Sequence, residues 1–173
     1  MKVFTTLFLV VLIVSCAPIR VNTDFEKGTD FNKYKTYSYY GDMKTGLSEL
    51  DTKRFLDALD KAMAAKGFSF SETPDFLVDI KSNEYQQLQR SNVGVGLGGG
   101  GRNMGGGISI GLPIGQSNIN RQISIDFVDE NGKGLFWQAV TETSISPNAS
   151  PEKREQLFNA IAEKVLAQYP PKQ

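Results

Sequence analysis

Apolar and polar positions along the chain follow two periods, and the changes of period mark the elements. From Asp30 to Tyr40 the period is two. Tyr34, Thr36, Ser38 and Tyr40 fall on one face, Lys35, Tyr37 and Tyr39 on the other. Aromatic and threonine content at that spacing predicts a strand, closed by Gly41-Asp42. The period then becomes helical: Phe55, Leu56, Leu59, Ala62 and Met63 recur at i, i+3, i+4. Ser48 is placed as its N-cap with Asp51 three residues on, an arrangement like a capping box. Gly67 stands where a C′ glycine belongs. Phe68 and Phe70 lead into a short extended stretch.

Alternation returns after Pro74, with Phe76, Val78 and Ile80 against Leu77, Asp79 and Lys81. Gln122 to Val128 places Ile123, Ile125 and Phe127 on one face. Asp129-Glu130-Asn131-Gly132 reads as a turn. Leu135 to Thr143 returns, with Leu135, Trp137, Ala139 and Thr141 on one face and Phe136, Gln138 and Val140 on the other. The last segment is helical. Ser150 caps it, Pro151 fits N1, Glu152 suits the positive end of the dipole, and Leu157, Phe158, Ile161, Val165 and Leu166 form its apolar stripe. Pro170-Pro171 ends it.

The predicted order is β-α-β-β-β-β-α. Two helices covering one face of a mainly antiparallel sheet form the simplest two-layer α+β sandwich. A chain of this length buries enough surface for one core without staples, so residues 25–171 are expected to form a single domain.

Residues 93–115 stand apart. Eleven of the 17 glycines lie there, and the only charge is Arg102. Gly96-x-Gly98-x-x-Gly101 formally fits a dinucleotide fingerprint, but no helix start follows it. The stretch is long enough to span a bilayer, and Gly107, Gly111 and Gly115 have small-residue packing spacing. As a helix, however, its glycines and Pro113 would cost on the order of 12 kcal/mol in propensity. Val93, Val95 and Leu97 alternate with glycine on one side of the tip. Ile108, Ile110, Leu112 and Ile114 alternate on the other. That pattern predicts a β-hairpin. An edge with unpaired backbone groups accepts partner strands. Val93, Val95, Leu97, Arg102, Ile108, Ile110 and Leu112 are therefore the candidate interaction arm, and deleting 98–107 is expected to abolish partner capture.

The N-terminus assigns the location. Met1-Lys2 precedes an apolar run from Val3 to Val14, then Ser15-Cys16. This matches a secretory signal and is short for a span, which needs about 17–25 residues. Ile13-Val14-Ser15-Cys16 resembles a bacterial lipobox. In that reading residues 1–15 are removed. Cys16 becomes the new N-terminus, carrying a diacylglyceryl thioether and palmitate-type acyl chains. Residues 16–24 form a tether. Two or more chains anchor stably where one is marginal. No Asp follows the cysteine, which favours the outer membrane, periplasm-facing, with surface exposure open.

Composition removes other chemistries. There is no histidine and one cysteine. Ser-His-Asp and Cys-His catalysis, histidine metal sites, zinc ribbons and iron–sulfur clusters are thereby excluded. Lys plus Arg equals Asp plus Glu at 19 each, so the basic excess that nucleic-acid binding uses is missing. No cofactor or metal is expected. Asp126, Asp129 and Glu130 are the candidate acids for a hydrolase, which needs two carboxylates facing across a cleft. Tyr34, Tyr37, Tyr39, Tyr40 and Trp137 are the candidate platform for a glycan or lipid. Lys33 and Lys35 read as a solvated strand face.

Several segments together resemble one family. Asp30-Phe31-Asn32-Lys33-Tyr34-Lys35-Thr36-Tyr37 is similar to its opening motif. Ala64-Ala65-Lys66-Gly67-Phe68 and Pro74-Asp75-Phe76-Leu77-Val78 resemble its helix end and second strand. Gly132-Lys133-Gly134-Leu135-Phe136-Trp137-Gln138-Ala139 resembles its late strand, and Leu166-Ala167-Gln168-Tyr169-Pro170-Pro171 its C-terminus. These are features of the bacterial lipoproteins labelled domain of unknown function 4136, whose glycine-rich middle is present too. The resemblance implies a compact α+β domain in the cell envelope and supplies no catalytic residues. The expected function is a lipid-anchored, non-enzymatic binding or assembly module whose envelope protein partner docks on a sheet edge or on the glycine-rich hairpin. The alternative is an envelope lipoprotein holding a glycan or lipid on an aromatic sheet surface.

Overall fold

The computed structural model describes residues 19–85 and 119–172. Cys16, the expected signal segment of residues 1–15 and the expected hairpin of residues 93–115 lie outside the described residues.

The described chain runs β1 (Arg20–Phe25), a 3-10 turn (Phe31–Lys33), β2 (Thr36–Tyr39), α1 (Glu49–Ala65), β3 (Ser69–Phe70), β4 (Phe76–Tyr85), β5 (Ile119–Asp129), β6 (Gly134–Ile145) and α2 (Pro151–Leu166). The six strands form one sheet in the order β1-β6-β5-β4-β2-β3. The fold is α+β: both helices contribute to the same apolar core on one face of the sheet.

β1, β6, β5 and β4 pair antiparallel, whereas β2 runs parallel to both β4 and β3. The cause is α1. A helix between two strands carries the chain back to its starting end, so the next strand enters parallel. The sheet is therefore mixed.

The capping signals fold as expected. The Ser48 side chain accepts from the Asp51 N–H, and Ser150 accepts from the Lys153 N–H with Pro151 at N1. Gly67 has φ +87°, a conformation costly for any residue with a Cβ. Asp51, itself buried, holds the helices together. Its two oxygens take Arg54 and Arg154 at 2.8 Å each. Arg154 also donates to the carbonyls of Pro147 and Ala149, so one side chain closes both the helix pair and the loop before α2.

Three expectations are corrected. The tether expected up to residue 24 is shorter, because Arg20–Phe25 is an edge strand paired with β6 from Arg20↔Glu142 to Phe25↔Trp137. The strand expected from Asp30 to Tyr40 is confined to Thr36–Tyr39, since Asp30 caps a 3-10 turn through the Asn32 N–H. Tyr34 then reaches the core from outside the strand. Its start is fixed by Asp75, whose Oδ2 accepts from the N–H groups of Lys35 and Thr36 at 2.8 Å each. Finally, Leu135 does not share the buried face of Trp137. A register shift between Phe127 and Val128 makes Phe136 a bulge residue. An extra residue turns the local side-chain direction. Phe136 and Trp137 are both fully buried, and Leu135 is exposed.

The core is unusually aromatic. Tyr34 stacks on Phe136 with centroids 3.9 Å apart, Phe76 meets Phe127 at 4.7 Å, and Trp137 meets Phe127 at 4.6 Å and Tyr169 at 5.3 Å. Burying each such side chain contributes about 1.5–3 kcal/mol.

Candidate functional site

The site begins where the sheet ends. β3 has two residues and pairs only with β2, through Thr36↔Ser69 and Tyr37↔Phe70. The Ser69 and Ser71 N–H groups donate to the carbonyls of Lys35 and Tyr37 at 3.0 and 2.9 Å. Successive residues of a strand point their backbone groups to opposite sides, so the N–H and C=O of Phe70 face the open edge. Its side chain lies on the helix side, edge-on to Tyr37 at 5.9 Å. Phe70 is nonetheless 61% exposed, because no strand lies beyond it.

Between this edge and α1 runs a groove of about 820 Å³, walled chiefly by Tyr39, Met43, Leu47, Leu56 and Phe70, with Asp60 on its flank. Besides Phe70 of β3, the walls come from three segments. β2 brings Tyr39, α1 brings Leu56 and Asp60, and the loop between them brings Met43 and Leu47. Lys44, Glu49, Lys53 and Asp57 line the same groove and mix both charges.

That loop is held rather than left hanging. The Ile80 N–H donates to Met43 Sδ at 3.2 Å, and the Ser82 N–H donates to the Thr45 carbonyl at 2.7 Å. The hydroxyls of Thr45 and Thr52 are 2.7 Å apart, and the Leu47 N–H donates to Thr45 Oγ1. Arg121 donates to Ser82 Oγ at 2.7 Å and to the Gly46 carbonyl, and it pairs with Glu84. Gly46 has φ +71°, and a Cβ there would lie 2.3 Å from the Ser82 carbonyl oxygen. The groove is therefore preformed.

Its polar flank is a tyrosine pair on one carboxylate. The hydroxyls of Tyr37 and Tyr39 both donate to Asp60 Oδ1, at 2.7 and 2.6 Å. Burial, then the bond to Asp60, drives both phenols well above the ordinary tyrosine range. Both rings are held neutral at physiological pH and act as fixed donors.

The candidate acids are not brought together. Asp129 is buried under the helix face, taking Lys33 Nζ at 2.8 Å and the Tyr34 hydroxyl at 3.0 Å. The Lys33 ammonium holds its carboxyl below the usual range. Asp126 lies on the opposite sheet face, accepting from Ser124 Oγ and Gln138 Nε2. Glu130 is exposed in the turn. Among the described residues, no three His, Cys, Asp or Glu side chains are grouped to hold a metal ion.

The candidate aromatic platform divides in the same way. Tyr34, Tyr37 and Trp137 are buried in the core, and only Tyr39 reaches the groove. Lys33, expected on a solvated face, is spent on Asp129 and sits 4.5 Å above the Tyr34 ring. Lys35 is exposed. Met43, Leu47 and Phe70 escaped the sequence reading because their shared role depends on loop placement and on the strand order. Only the exposed face of a two-residue strand could have drawn attention to Phe70.

Residues 21–171 match the family described as "Domain of unknown function (DUF4136)". None of the curated proteins matches the chain. Among solved structures, the chain is similar to a PDZ domain protein from Parabacteroides distasonis, with a TM-score of 0.58 and 12% identity over 99% of this chain. The chain spans 41% of that protein's length. It is also similar to the PelC dodecamer subunit from Paraburkholderia phytofirmans, with a TM-score of 0.49 and 8% identity, over 90% of this chain and 100% of the other. At these identities the likeness is one of fold.

Proposed function

The chain belongs to the DUF4136 family, and from that premise and the geometry of the groove we propose that it is a lipid-anchored, non-enzymatic binding or assembly module of the bacterial cell envelope. Its partner is a protein that docks at the β3 edge. The observation that carries this reading is Phe70. An edge residue with outward backbone groups and a 61% exposed aromatic ring offers both halves of strand addition. The backbone gives affinity, and the apolar groove beside it selects the side chain that enters. The anchor rests on the apolar run from Val3 to Val14 followed by Ser15-Cys16. The separation of Asp126 and Asp129 onto opposite faces supports a binding role over hydrolysis.

A second reading has its own support. Tyr39 and Phe70 are rings on the wall of an apolar groove, which also suits a lipid acyl chain or one face of a sugar. The two readings separate on Phe70→Asp. For a protein partner, the charge abolishes capture of an envelope protein from membranes bearing the lipidated chain, with the fold unchanged. For a small ligand, the wild-type protein retains a bound lipid or glycan in native mass spectra and captures no protein at this edge.

A further inference from the structure

We infer that the end of the sheet carrying Arg20, Tyr85, Ile119 and Ile145 rests on the lipid bilayer, so that the protein stands end-on at the membrane. The inference rests on the lipid anchor at Cys16 proposed above and adds an orientation that the anchor alone does not give.

Strand register defines the two ends. Arg20 pairs with Glu142, Ile119 with Ile145, and Tyr85 with Asn120. The starts of β1 and β5 and the finishes of β4 and β6 therefore lie together. The leash is short. Only Ala17 and Pro18 separate Cys16 from Ile19, so the span is about 10 Å at full extension. Its landing point is fixed to the fold. Ile19 is buried, and its carbonyl accepts from Lys164 Nζ at 3.5 Å. A lipidated Cys16 thus holds one corner of this end within about 10 Å of the headgroups.

A single corner leaves the tilt open, and the rest of the rim closes it. Tyr85 is 38% exposed and sits with half-buried Ile119 and Ile145 on the same end. The strands β1, β6, β5 and β4 are neighbours, so the Tyr85 rim lies about 14 Å across the sheet from the tethered corner. A tyrosine with isoleucines suits the interface, where an amphipathic ring buries its body and keeps its hydroxyl wet. The opposite end presents Glu130, Asn131 and Lys133, all exposed, whose two charges belong in water, with Leu135 exposed beside them. β6 runs from Gly134 to Ile145, so the two ends are about 36 Å apart.

The orientation places the β3 end of the groove farthest from the bilayer, while its Thr45–Leu47 wall, held by Ser82 and Arg121, lies nearer to it. Phe70 pairs with Tyr37, which pairs with Phe76 at the far end of β4 from Tyr85. That is about 30 Å along the strand, so the docking edge stands clear of the bilayer. Tyr85 and Ile119, where the glycine-rich stretch joins the domain, are at the membrane end.

Depth-dependent quenching tests this directly. Acylation occupies the thiol of Cys16, so Asn83→Cys and Asn131→Cys each offer one reactive site for a fluorophore. The lipidated proteins are placed in phosphatidylethanolamine–phosphatidylglycerol vesicles carrying a headgroup nitroxide, and their intact masses are recorded. The expected result is several-fold stronger quenching at position 83 than at 131, reduced by Tyr85→Asp. Equal quenching at both positions, or stronger quenching at 131, in protein with the acylated mass overturns the orientation alone. A mass without acyl chains overturns the anchor and the orientation with it.

Discussion

The Tyr34 hydroxyl donates to Asp129 Oδ2 at 3.0 Å while its ring lies stacked on Phe136, 3.9 Å away at an interplanar angle of 8°. One side chain outside the regular strands thus joins the start of the domain to the turn between β5 and β6. Hydrogen bonds to charged groups contribute about 1.5–3 kcal/mol. Tyr34→Phe keeps the stack and loses the bond, and it is expected to lower stability by about 1–2 kcal/mol in urea unfolding. Asp129→Ala strands both a buried phenol and Lys33, and it should cost more, about 2–3 kcal/mol. Equal effects would contradict this division.

Tyr169 is the contrasting case. It is 4% exposed, and its hydroxyl has no hydrogen-bond partner among the described residues. A buried polar group without a partner carries its desolvation cost uncompensated. Tyr169→Phe should therefore leave stability unchanged or raise it by about 1 kcal/mol, the reverse of Tyr34→Phe. A clear loss of stability on urea unfolding would show that this hydroxyl is satisfied in solution.

The pH profile follows from the same groups. Asp129, held down chiefly by Lys33, and Asp75, held down chiefly by the Lys35 N–H, have depressed carboxyl pKa values. A depressed acid stabilises the fold above its unfolded pKa of about 3.9, and that contribution is lost as pH falls through the folded value. Stability should drop below about pH 4, with a shallower slope in Asp129→Asn. Tyr37, Tyr39 and Tyr169 are raised, chiefly by burial. Their contribution is complete below about pH 10 and fades above it. Unfolding midpoints between pH 3 and 11 would show both arms.

Gly46→Ala tests whether the groove depends on its loop. The new Cβ meets the Ser82 carbonyl at 2.3 Å, at φ +71°. Strained backbone alone costs about 1–3 kcal/mol, and the loop must move to remove the clash. The expected result is faster hydrogen exchange at Thr45–Leu47, with β5 and β6 unchanged. Unchanged exchange at that loop would mean that it is not fixed through Ser82.

Much of the fold was legible because its signals are local. Ser48, Ser150 with Pro151, and Gly67 announce helix ends by chemistry confined to one turn. Phe76, Val78 and Ile80, like Ile123, Ile125 and Phe127, alternate because one sheet face is buried. β1 was hidden since an edge strand with one neighbour keeps only Val21 and Phe25 half-buried and leaves the rest exposed. The bulge at Phe136 reversed the facing of Leu135, and no spacing within the strand marks such an insertion. The parallel pairing of β2 with β3 and β4 is a long-range choice made through α1. The groove is less legible still. Met43, Leu47 and Phe70 meet only after strand order and loop path are set, whereas the tyrosines that looked like a surface are mostly core.

The central claim is that an envelope protein docks at the β3 edge. It is tested most directly by a photocrosslinking amino acid at position 70 of the lipidated protein in living cells, with position 131 as reference and mass spectrometry of the products. The account predicts one recurrent envelope protein crosslinked at 70 and not at 131. Crosslinks at 70 confined to lipid, or absent, would contradict it.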